Sequence, residues 1–122
     1  MKKILLVEDD ADIRILIARQ LSKAGYEVIS AADAYQGIVF TTQKHPDLIL
    51  LDMMLPAGGG LTTLKRVREL PSSMLTPVII LTASRDDMLL AKAFSYGVEN
   101  IIHKPWDEKN LLEKIKKALH EA

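Results

Sequence analysis

Asp47-Leu48-Ile49-Leu50-Leu51-Asp52-Met53-Met54-Leu55-Pro56 is the stretch from which the rest of the chain can be read. Four large apolar residues end on a carboxylate, and two methionines, a leucine and a proline follow. The run is short, bounded and without alternation, the pattern of a strand buried on both faces of a parallel sheet. Asp52 then stands at the carboxyl end of a central strand, the edge at which open α/β sheets bind ligands. Taken alone, an aspartate in that position reads more readily as a helix cap or a solvated loop residue. Three other parts of the chain change that reading.

Composition bounds the problem first. The 122 residues suffice for one domain with one core, and we read 1–122 as that domain. Apolar residues make up 48 % of the chain, which excludes a disordered protein. Sixteen basic residues balance sixteen acidic ones, so direct nucleic-acid binding through a strong overall field is not expected. Cysteine is absent, which excludes disulfides, thiolate metal sites and cysteine nucleophiles and fits a reducing compartment. Lys2 and Lys3 precede an apolar run of only Ile4 to Val7, too short for a signal-peptide core. No stretch is long enough to span a bilayer. A cytoplasmic protein without membrane contact is expected.

Lys3 to Val7 reads as a buried strand closed by Glu8-Asp9-Asp10. Ile13, Leu16, Ile17 and Leu21 recur at helical spacing, with Arg14, Arg19 and Gln20 mostly on the other side, and Gly25 stands where that helix stops. Glu27 to Ala31 is a second strand. Asp33 is an expected N-cap for a helix running to about Gln43. His45-Pro46 breaks the chain before the strand Leu48 to Leu51. After Pro56, Gly58-Gly59-Gly60 reads as a flexible turn, a mobile loop bordering the site, before a helix carrying Leu61, Leu64 and Val67. Pro77 opens the strand Val78 to Leu81, closed by Thr82-Ala83-Ser84, and a helix follows from about Asp86 to Tyr96, stopping at Gly97. Ile101-Ile102-His103 is a fifth strand ended by Lys104-Pro105, and the last helix aligns Leu111, Leu112, Ile115, Ala118 and Leu119 on one stripe. Strands alternating with helices call for a parallel sheet with helices on both faces. Right-handed crossovers and this length favour a flavodoxin-like three-layer sandwich, with 2-1-3-4-5 the expected strand order.

In such a sheet Glu8 and Asp9, Asp52, Thr82 and Lys104 end four different strands along one edge. Each alone is a weak signal; together, directly after buried strands, they are hard to obtain from caps alone. Converging carboxylates repel one another and call for a divalent cation. The oxygen-only donors suit Mg²⁺, or Mn²⁺ in its place, rather than zinc. Mg²⁺ is typically completed by a phosphate oxygen, Lys104 adds a point charge for a second oxygen, and the Thr82 hydroxyl can donate to a third. An aspartate in that setting is a competent nucleophile toward a phosphoryl group.

The motifs Ile4-Leu5-Leu6-Val7-Glu8-Asp9-Asp10, Leu51-Asp52-Met53-Met54-Leu55-Pro56 with Gly60, Leu81-Thr82-Ala83 and Lys104-Pro105 stand in an order and spacing covering essentially the whole chain. In them the sequence resembles the response regulator receiver domains of two-component signalling, in the form of a chemotaxis-regulator-like single-domain receiver. The resemblance implies Asp52 as phosphoacceptor, charged by a histidine kinase, a histidine phosphotransfer protein or a small phosphodonor. It implies Asp9 as a direct metal ligand, Glu8 as an outer one, the Met54 backbone carbonyl as a further ligand, and Thr82 and Lys104 as phosphoryl contacts. It also implies a cis Lys104-Pro105 bond, and an output face built from the fourth helix, fifth strand and fifth helix. Such a protein catalyses only its own phosphorylation and dephosphorylation.

The sequence departs from that pattern in places. Glu8-Asp9 stands where two aspartates are frequent, Leu55 where methionine is, and Trp106 where phenylalanine is more usual. Ile101 occupies the position, three before the lysine, where an aromatic residue usually takes part in the switch. His45 and His120 read as surface residues, and His103, pointing away from Lys104, as a packing or partner-surface residue rather than a phosphodonor. Met88, Leu89, Leu90, Ala91, Ala93 and Phe94 make the fourth helix apolar nearly all round, which fits a well-buried helix at least as well as a partner surface or a homodimer contact. Two alternatives stay open. One is a metal-dependent aspartyl phosphatase, although Met54 stands where a second carboxylate is needed. The other is a binding module, either a flavodoxin-like carrier or a receiver locked in one state by Ile101. The kinase, the pathway and any output domain are not named by these residues.

Overall fold

A computed structural model describes residues 1–121. Its elements are β1 (Lys3–Val7), α1 (Ala11–Lys23), β2 (Glu27–Ala31), α2 (Ala34–Lys44), β3 (Leu48–Asp52), α3 (Gly59–Glu69), β4 (Val78–Thr82), α4 (Asp87–Ser95), β5 (Asn100–His103) and α5 (Glu108–Ala118). The strands form one parallel sheet in the order β2-β1-β3-β4-β5. This is the expected order, and β3 lies at its centre.

Alternation along the strands divides the core in two. Leu5, Val7, Ile49, Leu51, Val78, Ile80 and Ile101 pack with Leu64 and Val67 of α3, Ala93 of α4 and the half-buried Phe40 of α2. Ile4, Leu6, Leu48, Leu50, Ile79, Leu81 and Ile102 pack with Ile17 and Leu21 of α1 and Leu111 and Ile115 of α5. Every residue of β3 and β4 is buried, which explains why these segments read as unbroken apolar runs.

Local chemistry sets the helix starts. Asp10 Oδ1 accepts from the Ile13 N–H at 3.0 Å, Asp33 Oδ1 from Gln36 N–H at 2.8 Å, and Asp86 Oδ1 from Met88 N–H at 3.0 Å. Gly25, at φ 98°, carries the left-handed turn after α1.

Two expectations are corrected. Of Gly58-Gly59-Gly60 only Gly58, at φ 72°, lies in a turn. Pro56–Gly58 forms one 3₁₀ turn, and Gly59 and Gly60 are buried in the first turn of α3. A Cβ on Gly60 would stand 2.3 Å from the Met53 carbonyl oxygen. This glycine lets α3 approach the backbone that follows Asp52. The well-buried reading of α4 also fails. Only Ala93 is buried on it, while Met88 is 84 % exposed and Phe94 52 %.

Because the Gly60 contact is with backbone, no rotamer change relieves it. Gly60→Ala is expected to destabilise the fold by about 2 kcal/mol or more, read as a lower midpoint in urea, with the amides of residues 53–55 showing the largest NMR shifts.

Candidate functional site

The carboxyl edge of the sheet brings together most of the residues singled out from the sequence. One carboxylate oxygen from each of Glu8, Asp9 and Asp52 lies within 4.8 Å of the others. Glu8 and Asp52 are buried and Asp9 is exposed, so the cluster is a cleft with one open side. Lys104 Nζ reaches in from the end of β5, 2.6 Å from Glu8 Oε1 and 3.5 Å from Asp52 Oδ2. Thr82 is fully buried at the end of β4, the strand next to β3, and its Oγ1 accepts from the Ser84 N–H at 2.9 Å. The Met54 N–H donates to Asp52 Oδ1 at 3.0 Å, which orients the carboxylate and leaves Oδ2 toward Lys104. The Lys104-Pro105 bond is cis.

The electrostatics follow from three carboxylates, two of them buried, facing one ammonium. Burial raises the Glu8 carboxyl to about 7; Lys104 opposes this, and the neighbouring Asp52 adds to it. Burial alone pushes Lys104 down, but its bond to Glu8 and the charges of Asp52 and Glu8 overcome that and hold its ammonium above the usual value. Lys104 therefore stays charged, and the carboxylates remain under-neutralised. All the donors are hard oxygens, two of them buried, so the residues present fit a divalent cation such as Mg²⁺ far better than a soft metal.

The acidic run Glu8-Asp9-Asp10 divides its work. Glu8 and Asp9 face the cleft, whereas Asp10 caps α1, and its own N–H donates to Glu8 Oε2 at 3.2 Å. Sequence reasoning missed Arg14. Its Nη1 donates to the Glu8 carbonyl at 2.8 Å and the Asp9 carbonyl at 3.4 Å, fixing the loop that carries both carboxylates. Its place one turn into α1, after an acidic loop, was the available signal. Trp106 Nε1 donates to Gln20 Oε1 at 2.9 Å, so the segment after Lys104 is tied to α1. Ala57, at φ 56°, adopts a left-handed conformation uncommon for a residue with a Cβ, in the turn that follows the site.

The raised Glu8 has a consequence for stability. Between its ordinary value of 4.5 and about 7, the folded protein holds a proton that the unfolded chain has released. Folding then takes up a proton, so the contribution of Glu8 is largest at the acidic end and falls as pH rises through this window. In metal-free protein it amounts to up to about 3 kcal/mol. Glu8→Gln keeps an oxygen for Lys104 and is expected to lose most of this slope, read by comparing urea midpoints of the two proteins at pH 5 and pH 7.5.

Comparison with known proteins agrees with this geometry. The family model described as the response regulator receiver domain matches residues 4–116. The chain is 35 % identical over 118 residues to the phosphate regulon transcriptional regulatory protein PhoB of Pseudomonas aeruginosa, covering 97 % of this chain and 52 % of that protein. It thus spans about half the length of that regulator. It is 34 % identical over 118 residues to sporulation initiation phosphotransferase F of Bacillus subtilis, covering 97 % and 94 %. Among solved structures, the receiver domain of a sensor histidine kinase from Pseudomonas aeruginosa PAO1, with magnesium coordinated in its active-site cleft, superposes with a TM-score of 0.89 at 26 % identity, covering 98 % of each chain. The chain belongs to the response regulator receiver domain family, the phosphorylation-activated signalling modules of two-component systems.

Proposed function

We propose that Asp52 is the phosphoacceptor of this receiver domain. The observation that carries this reading is Lys104 Nζ, 3.5 Å from Asp52 Oδ2 and inside a cleft of three carboxylates. A fixed ammonium beside a carboxylate oxygen at the end of a buried strand is the arrangement that receives an anionic phosphoryl group with its three terminal oxygens. An Asp52 oxygen attacks phosphorus in a phosphohistidine or a small acyl phosphate. A P–O bond to Asp52 forms, and the bond from phosphorus to the imidazole nitrogen or acyl oxygen breaks, its electron pair leaving with the departing group. Lys104 transfers its contact from Glu8 to a phosphoryl oxygen, and the Thr82 hydroxyl donates to another.

Asp9, Asp52 and the Met54 backbone carbonyl would hold Mg²⁺ or Mn²⁺ directly, with Glu8 outside them. When bound, the cation supplies counter-charge to the carboxylates and to the transferring phosphoryl oxygens. The magnesium in the cleft of the related kinase receiver domain supports this assignment. The phosphatase alternative is disfavoured by Met54, which stands 53 % exposed two residues after Asp52 and has no proton to give. On this reading the protein turns over nothing but its own phosphoryl group.

The donor is a histidine kinase or histidine phosphotransfer protein, and such a partner sets the chain to work in the cytoplasm. The exposed Met88 and Phe94 support a downstream protein partner, or a second copy, at the face of α4, β5 and α5. Among the described residues no helix is long and apolar enough to cross a membrane. We assign no direct nucleic-acid contact to residues 1–122, which we read as one receiver domain.

Incubated with Mg²⁺ and acetyl phosphate, the protein is expected to gain the mass of one phosphoryl group; beryllofluoride titration guards against rapid self-hydrolysis. Asp52→Asn should gain none while keeping its circular dichroism spectrum. Equal labelling of both proteins sinks the assignment. Chelation by EDTA should abolish uptake, and Lys104→Ala should slow it at least about tenfold, the direction set by loss of a fixed counter-charge.

A further inference from the structure

We propose that His103 is the β5 side chain that couples an occupied phosphorylation site to α4. This rests on the role given above to Asp52. The sequence alone makes His103 a packing or partner-surface residue, and the geometry gives it a further role. His103 stands in register with Thr82 on the adjacent parallel strand, so both side chains project from the same face of the sheet. That face is the one carrying Ile101 and α4, because Ile102 between them belongs to the opposite cluster. The His103 ring is partly buried, and its Nδ1 is a buried nitrogen with no hydrogen-bond partner among the described residues. Such a group is unfavourable as it stands, so a rearrangement that brings it a donor is favoured.

The donor lies in the turn between β4 and α4. Thr82 Oγ1 accepts from the Ser84 N–H at 2.9 Å, and Ser84 Oγ accepts from the Asp86 N–H at 3.1 Å. Asp86 in turn caps α4 through the Met88 and Leu89 N–H groups, at 3.0 Å and 3.3 Å. The hydroxyl proton of Ser84 takes part in none of these bonds. With a phosphoryl group on Asp52, the Thr82 hydroxyl donates to it and draws the turn along. Ser84 Oγ–H then donates to His103 Nδ1. The Asp86 cap follows, and with it the first turn of α4, a helix with one buried residue to hold it. Ile101, 9 % exposed, stays within the apolar cluster against which Leu89 and Leu90 pack. In this scheme the isoleucine is no defect, because the β5 partner of the switch sits two residues further on.

The test is ¹⁵N and amide NMR of the whole chain with Mg²⁺, with and without beryllofluoride, in the parent, His103→Phe, His103→Asn and Ser84→Ala. In the parent, the anion is expected to move the Nδ1 resonance toward that of a hydrogen-bonded acceptor and to shift the amides of residues 87–95. His103→Phe and Ser84→Ala should still bind the anion, about 3- to 10-fold more weakly as reciprocal coupling requires, and lose most of the α4 shift. His103→Asn, which offers Oδ1 where Nδ1 stood, should restore both. A parent that binds beryllofluoride without any change at Nδ1, or a His103→Phe variant with the full α4 shift, overturns the proposal. A parent that neither binds the anion nor gains a phosphoryl group refutes the Asp52 assignment instead, and this proposal with it.

Discussion

The burial of the Glu8 and Asp52 carboxylates around Lys104, with Asp9 beside them, is the constraint around which the edge of the sheet is arranged. Two of these carboxylates are buried, and their oxygens stand within 4.8 Å of one another. Lys104 answers part of this from β5, while burial, with a smaller contribution from Asp52, still raises the Glu8 carboxyl. The fold thus holds, ready-made, a demand for positive charge and for oxygen ligands that accept it. A divalent cation and a phosphoryl group are chemically matched to that demand.

The rest of the molecule holds these groups in place. Strands β3 and β4 are buried throughout, so Asp52 and Thr82 extend from rigid supports. Gly60 lets α3 close down on the Met53 backbone, and Arg14 ties down the loop that carries Glu8 and Asp9. Against this rigid half stands α4, with a single buried residue and exposed Met88 and Phe94. A site that is rigid where chemistry occurs and weakly held one element away can convert a local change of charge into a change of surface.

Much of this architecture is legible in the amino-acid sequence. Buried parallel strands advertise themselves as bounded apolar runs, and residues that end them share an edge by topology alone. Glu8, Asp9, Asp52, Thr82 and Lys104 are therefore found by counting strands. Asp33 as a cap is visible because capping is local. The misread residues are of another kind. Gly59 and Gly60 look like a turn because glycine tolerates both open loops and close backbone approach, and only the neighbouring Met53 carbonyl distinguishes them. Helix α4 looks buried because its composition is apolar, but burial depends on what covers a face. Arg14 looks like a solvent-side residue because its partners are backbone carbonyls, which carry no sequence signature.

The sequence by itself determined the strand and helix order, the two-sided core and the identity of the residues at the carboxyl edge, because these depend on periodicity and chain connectivity. Tertiary structure alone decided which carboxylates face each other, that Lys104 lies nearer Glu8 than Asp52, and that His103 Nδ1, in register with Thr82, has no partner among the described residues. Those are distances between side chains on different strands. They follow from the register and twist of the sheet and from how the loops close over its edge, quantities that no local run of residues encodes.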